Sequence, residues 1–276
     1  RFADARTLSD EQIATIAAWV EAGAPRGDAD DLPPLPEFTD GWELGPPDMV
    51  VRTPTYTLSP DGPDVYRNFV VRIPVDAPRY VRTVEFQPGN PRAIHHAGMA
   101  VDRTGAARRL DAQDDEPGFD GMGAQIEGAD TFDGLFLPWN PGAPAFPGYD
   151  GVAWRVDPGT DLIVQLHMPR TGRTEQVHAR IGLYFTDTPP TKHPVMFRLG
   201  SFFIDIPPGE RFVHEDSYTL PVDVHALSVT PHAHYLCTEM HGEAVLPDGT
   251  CRSLIDIHEW DFNSQGSYRY AQQLKL

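Results

Sequence analysis

Cysteine is nearly absent from this chain: Cys237 and Cys251 are the only two among 276 residues. Two thiols do not make a disulfide framework. Without a C-x-x-C pair, covalent haem attachment and thioredoxin-type exchange within the chain are excluded. The two cysteines flank the turn Leu246-Pro247-Asp248-Gly249-Thr250 asymmetrically, so direct opposition across a simple hairpin is not expected, while longer-range pairing stays open. Basic charge is also scarce. Lys and Arg number 22 against 40 Asp and Glu, a formal net charge of −18, which argues against nucleic acid or an anionic membrane surface as partner. No apolar run approaches the ~20 residues of a membrane-spanning helix. The chain opens at Arg1 with neither an initiating Met nor a signal-peptide pattern. It is therefore expected to be a piece of a longer protein, with targeting information outside it.

What the sequence has in quantity is Gly and Pro, 24 and 28 residues, the composition of many short strands and turns. A hydrophobic content of 40% supports real cores and excludes wholesale disorder, and the length suggests two domains. The single helix signal lies at residues 8–23. Ser9 is placed to cap it, Ile13, Ile16, Ala17, Val20 and Ala24 recur at helical spacing, and Gly23 and Pro25 end it. The acidic, Pro-rich stretch from Arg26 to Phe38 reads as an extended linker.

From about residue 46 the pattern is β. Strands are expected at 49–53, 68–73, 80–87, 97–102, 152–156, 161–167 and 177–185, and, after Thr186–Pro190, at 195–199, 217–220, 224–231, 235–246, 251–257 and 268–274. Residues 103–150, rich in Gly, Asp and Pro, are too long for an ordinary loop and are expected to border a site. The fold class is all-β: two antiparallel β-sandwich domains in tandem, joined near 187–193 and preceded by one short N-terminal helix.

Eleven histidines stand out in this acidic chain. Three groupings carry chemistry. In Ile94-His95-His96-Ala97, adjacent side chains on a regular strand face opposite ways, so both imidazoles reach one ion only at a bulge or strand end; Pro91 makes such an irregularity natural. In Gln165-Leu166-His167, period two puts Gln165 and His167 on one face. In Pro231-His232-Ala233-His234, the same alternation aligns two imidazoles roughly 7 Å apart at Cα. The ordinary alternatives are a hydrogen-bonded core histidine at 167 and a solvated loop at 95–96. Together the groupings point to a metal, since imidazole is the main ligand for copper, zinc and iron. Histidines 178, 193, 214, 225, 241 and 258 read as surface or structural groups.

The order HH, Q-x-H, then H-x-H followed by Tyr235-Leu236 resembles the copper type II ascorbate-dependent monooxygenases, the family of peptidylglycine α-hydroxylating and dopamine β-monooxygenases. Supporting context is Pro138-Trp139-Asn140-Pro141-Gly142 with Gly151-Val152, and Trp260-Asp261-Phe262-Asn263 after the H-x-H. The opening run LSDEQIATIAAWVEAGAPRGD resembles the last helix of a c-type cytochrome domain, although an amphipathic helix docked on the next domain explains it equally well.

The resemblance implies two jelly-roll-like sandwiches facing each other across a solvent-filled cleft. It implies an electron-transfer copper held by His95, His96 and His167, and an oxygen-binding copper held by His232, His234 and a methionine. Gln165 reads as a structural amide on its strand face. The methionine is a departure. After His234 only Met240 follows, about 20 Å along a continuous strand, so the sulfur ligand is expected beyond residue 276 and the second site is expected to be incomplete here. The domain boundaries follow: residues 1–25 the cytochrome-like helix, 26–45 the linker, 46–190 the three-His sandwich, 191–276 the truncated His-pair sandwich.

The implied activity is hydroxylation of a C–H bond of a small molecule by O2, one electron coming from each of two coppers. Ascorbate or an upstream cytochrome c domain supplies the electrons, with no haem in this chain, in the periplasm or outside the cell. Two other readings stay open. One is a non-catalytic copper-binding or electron-transfer β-sandwich module of a larger extracellular protein. The other is a zinc hydrolase built on the H-x-H, weakened by the lack of a nearby H-E-x-x-H motif.

Overall fold

The computed structural model describes residues 2–276 except 4, 6, 36–40, 122–128, 131–138, 143, 202 and 263–265. The expectations that fell on 36–38 of the linker, on Pro138, on Asn263 and on most of 122–138 lie outside the described residues. Along the chain run α1 (Asp10–Glu21), a short 3-10 turn at Ala29–Asp31, β1 (Met49–Arg52), β2 (Tyr56–Leu58), β3 (Val65–Arg72), β4 (Arg79–Pro88) and β5 (His96–Asp102). Then come α2 (Ala106–Asp111), β6 (Phe119–Asp120), β7 (Ala129–Asp130), β8 (Trp154–Val156), β9 (Asp161–Met168), β10 (Glu175–Val177) and β11 (Ala179–Thr186). The last four strands are β12 (His225–Val229), β13 (Met240–Val245), β14 (Cys251–Ile257) and β15 (Tyr268–Lys275). The chain is all-β with antiparallel sheets, and no described helix is long and apolar enough to cross a membrane. It divides into two compact units, Phe38–Arg198 and a second composed of Arg1–Glu37 with Leu199–Leu276.

Within Phe38–Arg198 a four-stranded sheet (order β1-β11-β4-β8) and a five-stranded sheet (β6-β3-β9-β5-β7) are joined by the small β10-β2 ladder. Strand β9 is the centre of the five-stranded sheet and is buried along most of its length. Its even positions, Leu162, Val164, Leu166 and Met168, are apolar and almost fully buried, as are Phe69 and Val71 of β3 and Ala97, Met99 and Val101 of β5. Period two therefore gives this sheet one face that is apolar except for the buried Arg67, which lies opposite Leu166.

The opposite face is graded along the strands. The registers align Arg72, Asp161 and Asp102 at one end, then Val70, Ile163 and Ala100, then Asn68, Gln165 and Gly98, and finally Tyr66, His167 and His96. Helix α2 covers the second row, Ala107 packing on Ala100 and Ile163 with Val70 and Phe119 beside them. The first row anchors that helix. Asp102 accepts from the backbone N–H groups of Thr104, Gly105 and Ala107 (2.7, 3.1 and 2.7 Å), and Arg108 pairs with Asp161. Burial pushes the Asp102 carboxyl up, but the Thr104 hydroxyl (2.7 Å) and these amide donors together hold it below its ordinary range.

Two further devices fix this unit. Arg67, with a side chain 2% exposed, donates to the carbonyls of Glu116, Pro117 and Gly118 and pairs with Asp114 and Asp120, pinning the loop after α2 to β3. Buried Glu85 accepts from the amides of Glu43 and Leu44 and from the Tyr184 hydroxyl, which ties the residues just before β1 into the unit.

In the other unit α1 begins as expected: Ser9 Oγ accepts from Gln12 N (3.2 Å) and Gln12 Oε1 accepts from Ser9 N (2.8 Å), a capping box. None of its residues is buried, and Ile13, Ile16, Trp19 and Val20 remain about half exposed. The remaining described strands form two ladders, β12-β15 and β13-β14. The extended stretches expected as strands at 195–199 and 217–220 form no ladder, and the run expected at 235–246 is a strand only from Met240. Conversely β2, β6, β7 and α2 gave no readable signal in the sequence. Cys237 and Cys251 are free thiols.

Replacing Arg67 by Met removes the donors for three carbonyls and two carboxylates at once. The Arg67→Met variant is expected to lose about 3 kcal/mol of stability, read as a lower urea midpoint at unchanged slope.

Candidate metal centre

The row at the open end of the five-stranded sheet is the site. His96 is the first residue of β5 and lies opposite His167 of β9 in register. His95 stands one residue outside the strand, where its N–H still donates to the His167 carbonyl at 2.9 Å. This strand-end position frees His95 from the alternation that would send it to the other face. It is the irregularity that the adjacent pair required. Just past it, Ala97 exchanges both backbone hydrogen bonds with Trp139 (3.0 and 2.8 Å), whose ring packs on Phe86.

The three rings converge through their Nδ1 atoms. His95 to His96 is 3.1 Å, His96 to His167 3.2 Å and His95 to His167 3.3 Å. The centre of such a triangle is ~1.9 Å from each corner, so a point slightly out of its plane lies ~2.0 Å from all three, a metal–imidazole bond length. Edges of this length also match one face of a tetrahedron drawn with such bonds. Hydrogen bonding alone does not satisfy the arrangement. A neutral imidazole carries one N–H, and a proton on one Nδ1 still leaves the other two lone pairs aimed at each other. A shared cation satisfies all three.

The surroundings prepare the rings for that role. His167 Nε2 lies 2.8 Å from Asp64 Oδ2, so the Nε2 proton is donated to the carboxylate and Nδ1 keeps its lone pair. Tyr66 stacks on His167 with centroids 4.2 Å apart and planes 6° from parallel, and meets His96 edge-on at 6.3 Å. Burial, followed by the neighbouring His167 and His95, lowers the His96 pKa to about 4; burial also lowers that of His167 against the opposing pull of Asp64. Both are therefore neutral ligands at physiological pH. Gln165 donates to Asn68 Oδ1 and to the Gly121 carbonyl, both at 2.9 Å, the structural amide expected of it.

Asp64 and Tyr66 were missed in the sequence. Asp64 sits in the turn run SPDGPD, where an acidic residue signals only a turn. Nothing local announces that β3 will place Tyr66 beside His167.

His232 and His234 are also brought together, with centroids 5.3 Å apart and planes at 85°. They lie beyond the end of β12, not within a strand, and both are exposed. Phe262 packs against Tyr235 (4.1 Å) and approaches the His234 ring (6.0 Å). Among the described residues no third His, Cys, Asp or Glu joins them at ligand distance. The chain turns at residues 235–236 before β13. The straight-strand separation of Met240 from this pair therefore does not hold, because the extended run it assumed is broken there.

Two outcomes follow. Asp64→Asn removes the acceptor that fixes the His167 tautomer, and is expected to weaken metal binding about 10- to 100-fold by competition titration. Because the folded His96 pKa lies below its ordinary 6.5, the unfolded chain takes up a proton between about 6.5 and about 4 that the folded site refuses. The metal-free protein should thus lose stability as pH falls through that window, and His96→Ala should flatten the slope of Tm against pH. No protein-family model and no curated protein matches this chain, so the family resemblance rests on the residues alone.

Proposed function

We propose that this chain is a copper-dependent monooxygenase that hydroxylates a C–H bond of a small molecule with O2. One copper would be held by His95, His96 and His167 and a second by His232 and His234. The observation that carries the reading is the triangle of Nδ1 atoms with 3.1–3.3 Å edges. When bound, copper supplies one-electron redox chemistry and oxygen activation.

The chain's own residues do the rest. His95, His96 and His167 offer three imidazoles from two hydrogen-bonded neighbouring segments, so their spacing is set by the sheet and changes little with the charge of the ion. An all-imidazole set suits an ion that exchanges electrons. Asp64 keeps the His167 Nε2 proton out of competition, and Tyr66 restricts the ring's rotation. His232 and His234 are exposed, a position open to O2 and substrate, and two imidazoles leave coordination positions free. Electrons would come from ascorbate or from a cytochrome c domain upstream, in a periplasmic or extracellular setting.

A second reading has a specific observation in its favour. The absence of a third His, Cys, Asp or Glu beside His232 and His234 among the described residues suits a non-catalytic copper-binding or electron-transfer module. The two separate cleanly. Copper titration of the full-length protein followed by EPR, with O2 uptake measured under ascorbate, is expected to give two coppers per chain. Uptake should fall at least about 100-fold in His167→Ala and in His232→Ala. One copper and no uptake would establish the module; an EPR-silent metal would point to zinc.

A further inference from the structure

We propose that the outer face of the β13–β14 hairpin carries a separate site for a divalent first-row transition-metal ion, held by His241, Asp256 and His258 with Glu239 beside them. The proposal is independent of the copper reading and uses different residues.

The hairpin builds this cluster by alternation. His241 lies directly opposite Asp256 in the ladder, and His258 follows Asp256 by two residues while Glu239 precedes His241 by two. Period two therefore puts all four on one face. The other face carries Met240, Gly242, Ile255 and Ile257, which are wholly or partly buried, whereas His241, Asp256 and His258 are exposed. The strands stay paired past their formal ends, because Trp260 N donates to the Thr238 carbonyl at 2.8 Å. That bond keeps Glu239 across from His258.

The contacts are those of a ligand set. His241 Nδ1 is hydrogen-bonded to Asp256 Oδ1, His258 Nε2 lies 3.1 Å from Asp256 Oδ2, and His241 Nε2 lies 3.5 Å from Glu239 Oε2. The two imidazole centroids are 5.4 Å apart, and one ligand atom from each of His241, Asp256 and His258 falls within 4.8 Å of the others. Two imidazoles and a carboxylate form a set characteristic of zinc and its neighbours, with water completing the coordination. Closing the cluster to bonding distance needs only side-chain rotation, which exposed residues on a fixed backbone allow. The net charge of −18 favours a cation here over an anion. An ion would tie the two strands together at the hairpin's open end, opposite the Leu246–Thr250 turn.

Equilibrium dialysis against Zn2+ alone, with metal counted per chain, tests this. The His241→Ala/His258→Ala double variant is expected to bind one Zn2+ fewer than wild type. The same deficit should appear when both substitutions are added to His95→Ala/His96→Ala. Asp256→Asn should weaken this class of binding at least about tenfold. Unchanged stoichiometry and affinity in the double variant, or no effect of Asp256→Asn, overturns the site. A measurement without substitutions guards against misfolding: Ni2+ added until the other histidine groups are filled and binding saturates should broaden the amide resonances of residues 240–242 and 255–258 in the wild type, and sharp signals there at saturation overturn the proposal as well. Loss of zinc through His241 and His258, together with no copper bound at His95 and His96 in the copper titration, would sink the copper reading and leave this one standing.

Discussion

Three imidazole nitrogens held 3.1–3.3 Å apart are an arrangement that neutral histidines do not adopt for their own sake. Lone pairs directed at a common point repel, and one proton relieves only part of the conflict. The sheet must therefore impose the geometry. It does so through the register that sets His96 opposite His167 and through the backbone bond that carries His95 one residue past the strand. Burial then keeps two of the three rings neutral, which leaves their lone pairs available to a metal. The other features of the site serve this one: Asp64 settles the tautomer, Tyr66 holds the ring plane, and Trp139 braces the backbone beside the pair.

The stability behind this imposition is asymmetric across the sheet. The core-facing side of β3, β9 and β5 is largely apolar and fixes the register, since a slip by one residue would turn Leu162, Val164 and Leu166 outward. The opposite face is free to carry chemistry, because α2 and the Asp102–Arg108–Asp161 cluster secure only its far end. Between them the row of Asn68, Gln165 and Gly98 separates apolar packing from the imidazoles, with its amides satisfied and, among the described residues, open space above Gly98. Core and site thus share the same strands and are divided by period two alone.

The strands of the second unit make little core of their own among the described residues, with Ile255 and Tyr270 its buried large side chains. Its histidines are correspondingly exposed. Pairs such as His232 with His234 and His241 with His258 are brought close by local geometry, an i, i+2 spacing in the first case and a hairpin register in the second. Neither is desolvated as His96 is, so any ion they hold competes with water on more equal terms.

Much was legible in advance. Alternation marked the central strands of the first unit to within a few residues, and it put Gln165 and His167 on one face before any partner was known. The neighbouring His95 and His96 called for a bulge or a strand end, and a strand end is where they lie. The capping box at Ser9 and Gln12 was equally local. The misses share a cause. Stretches 195–199 and 217–220 have strand-like composition, yet a ladder needs a neighbour, and composition does not say whether one is there. The sequence by itself determined which residues could be ligands and which face each would take, because those depend on chemistry and on a period of two. Only the tertiary structure decided that His96 meets His167, that Asp64 and Tyr66 attend them, and that His241 finds Asp256. Those meetings rest on registers between segments distant in the chain, set by core packing and not by local preference.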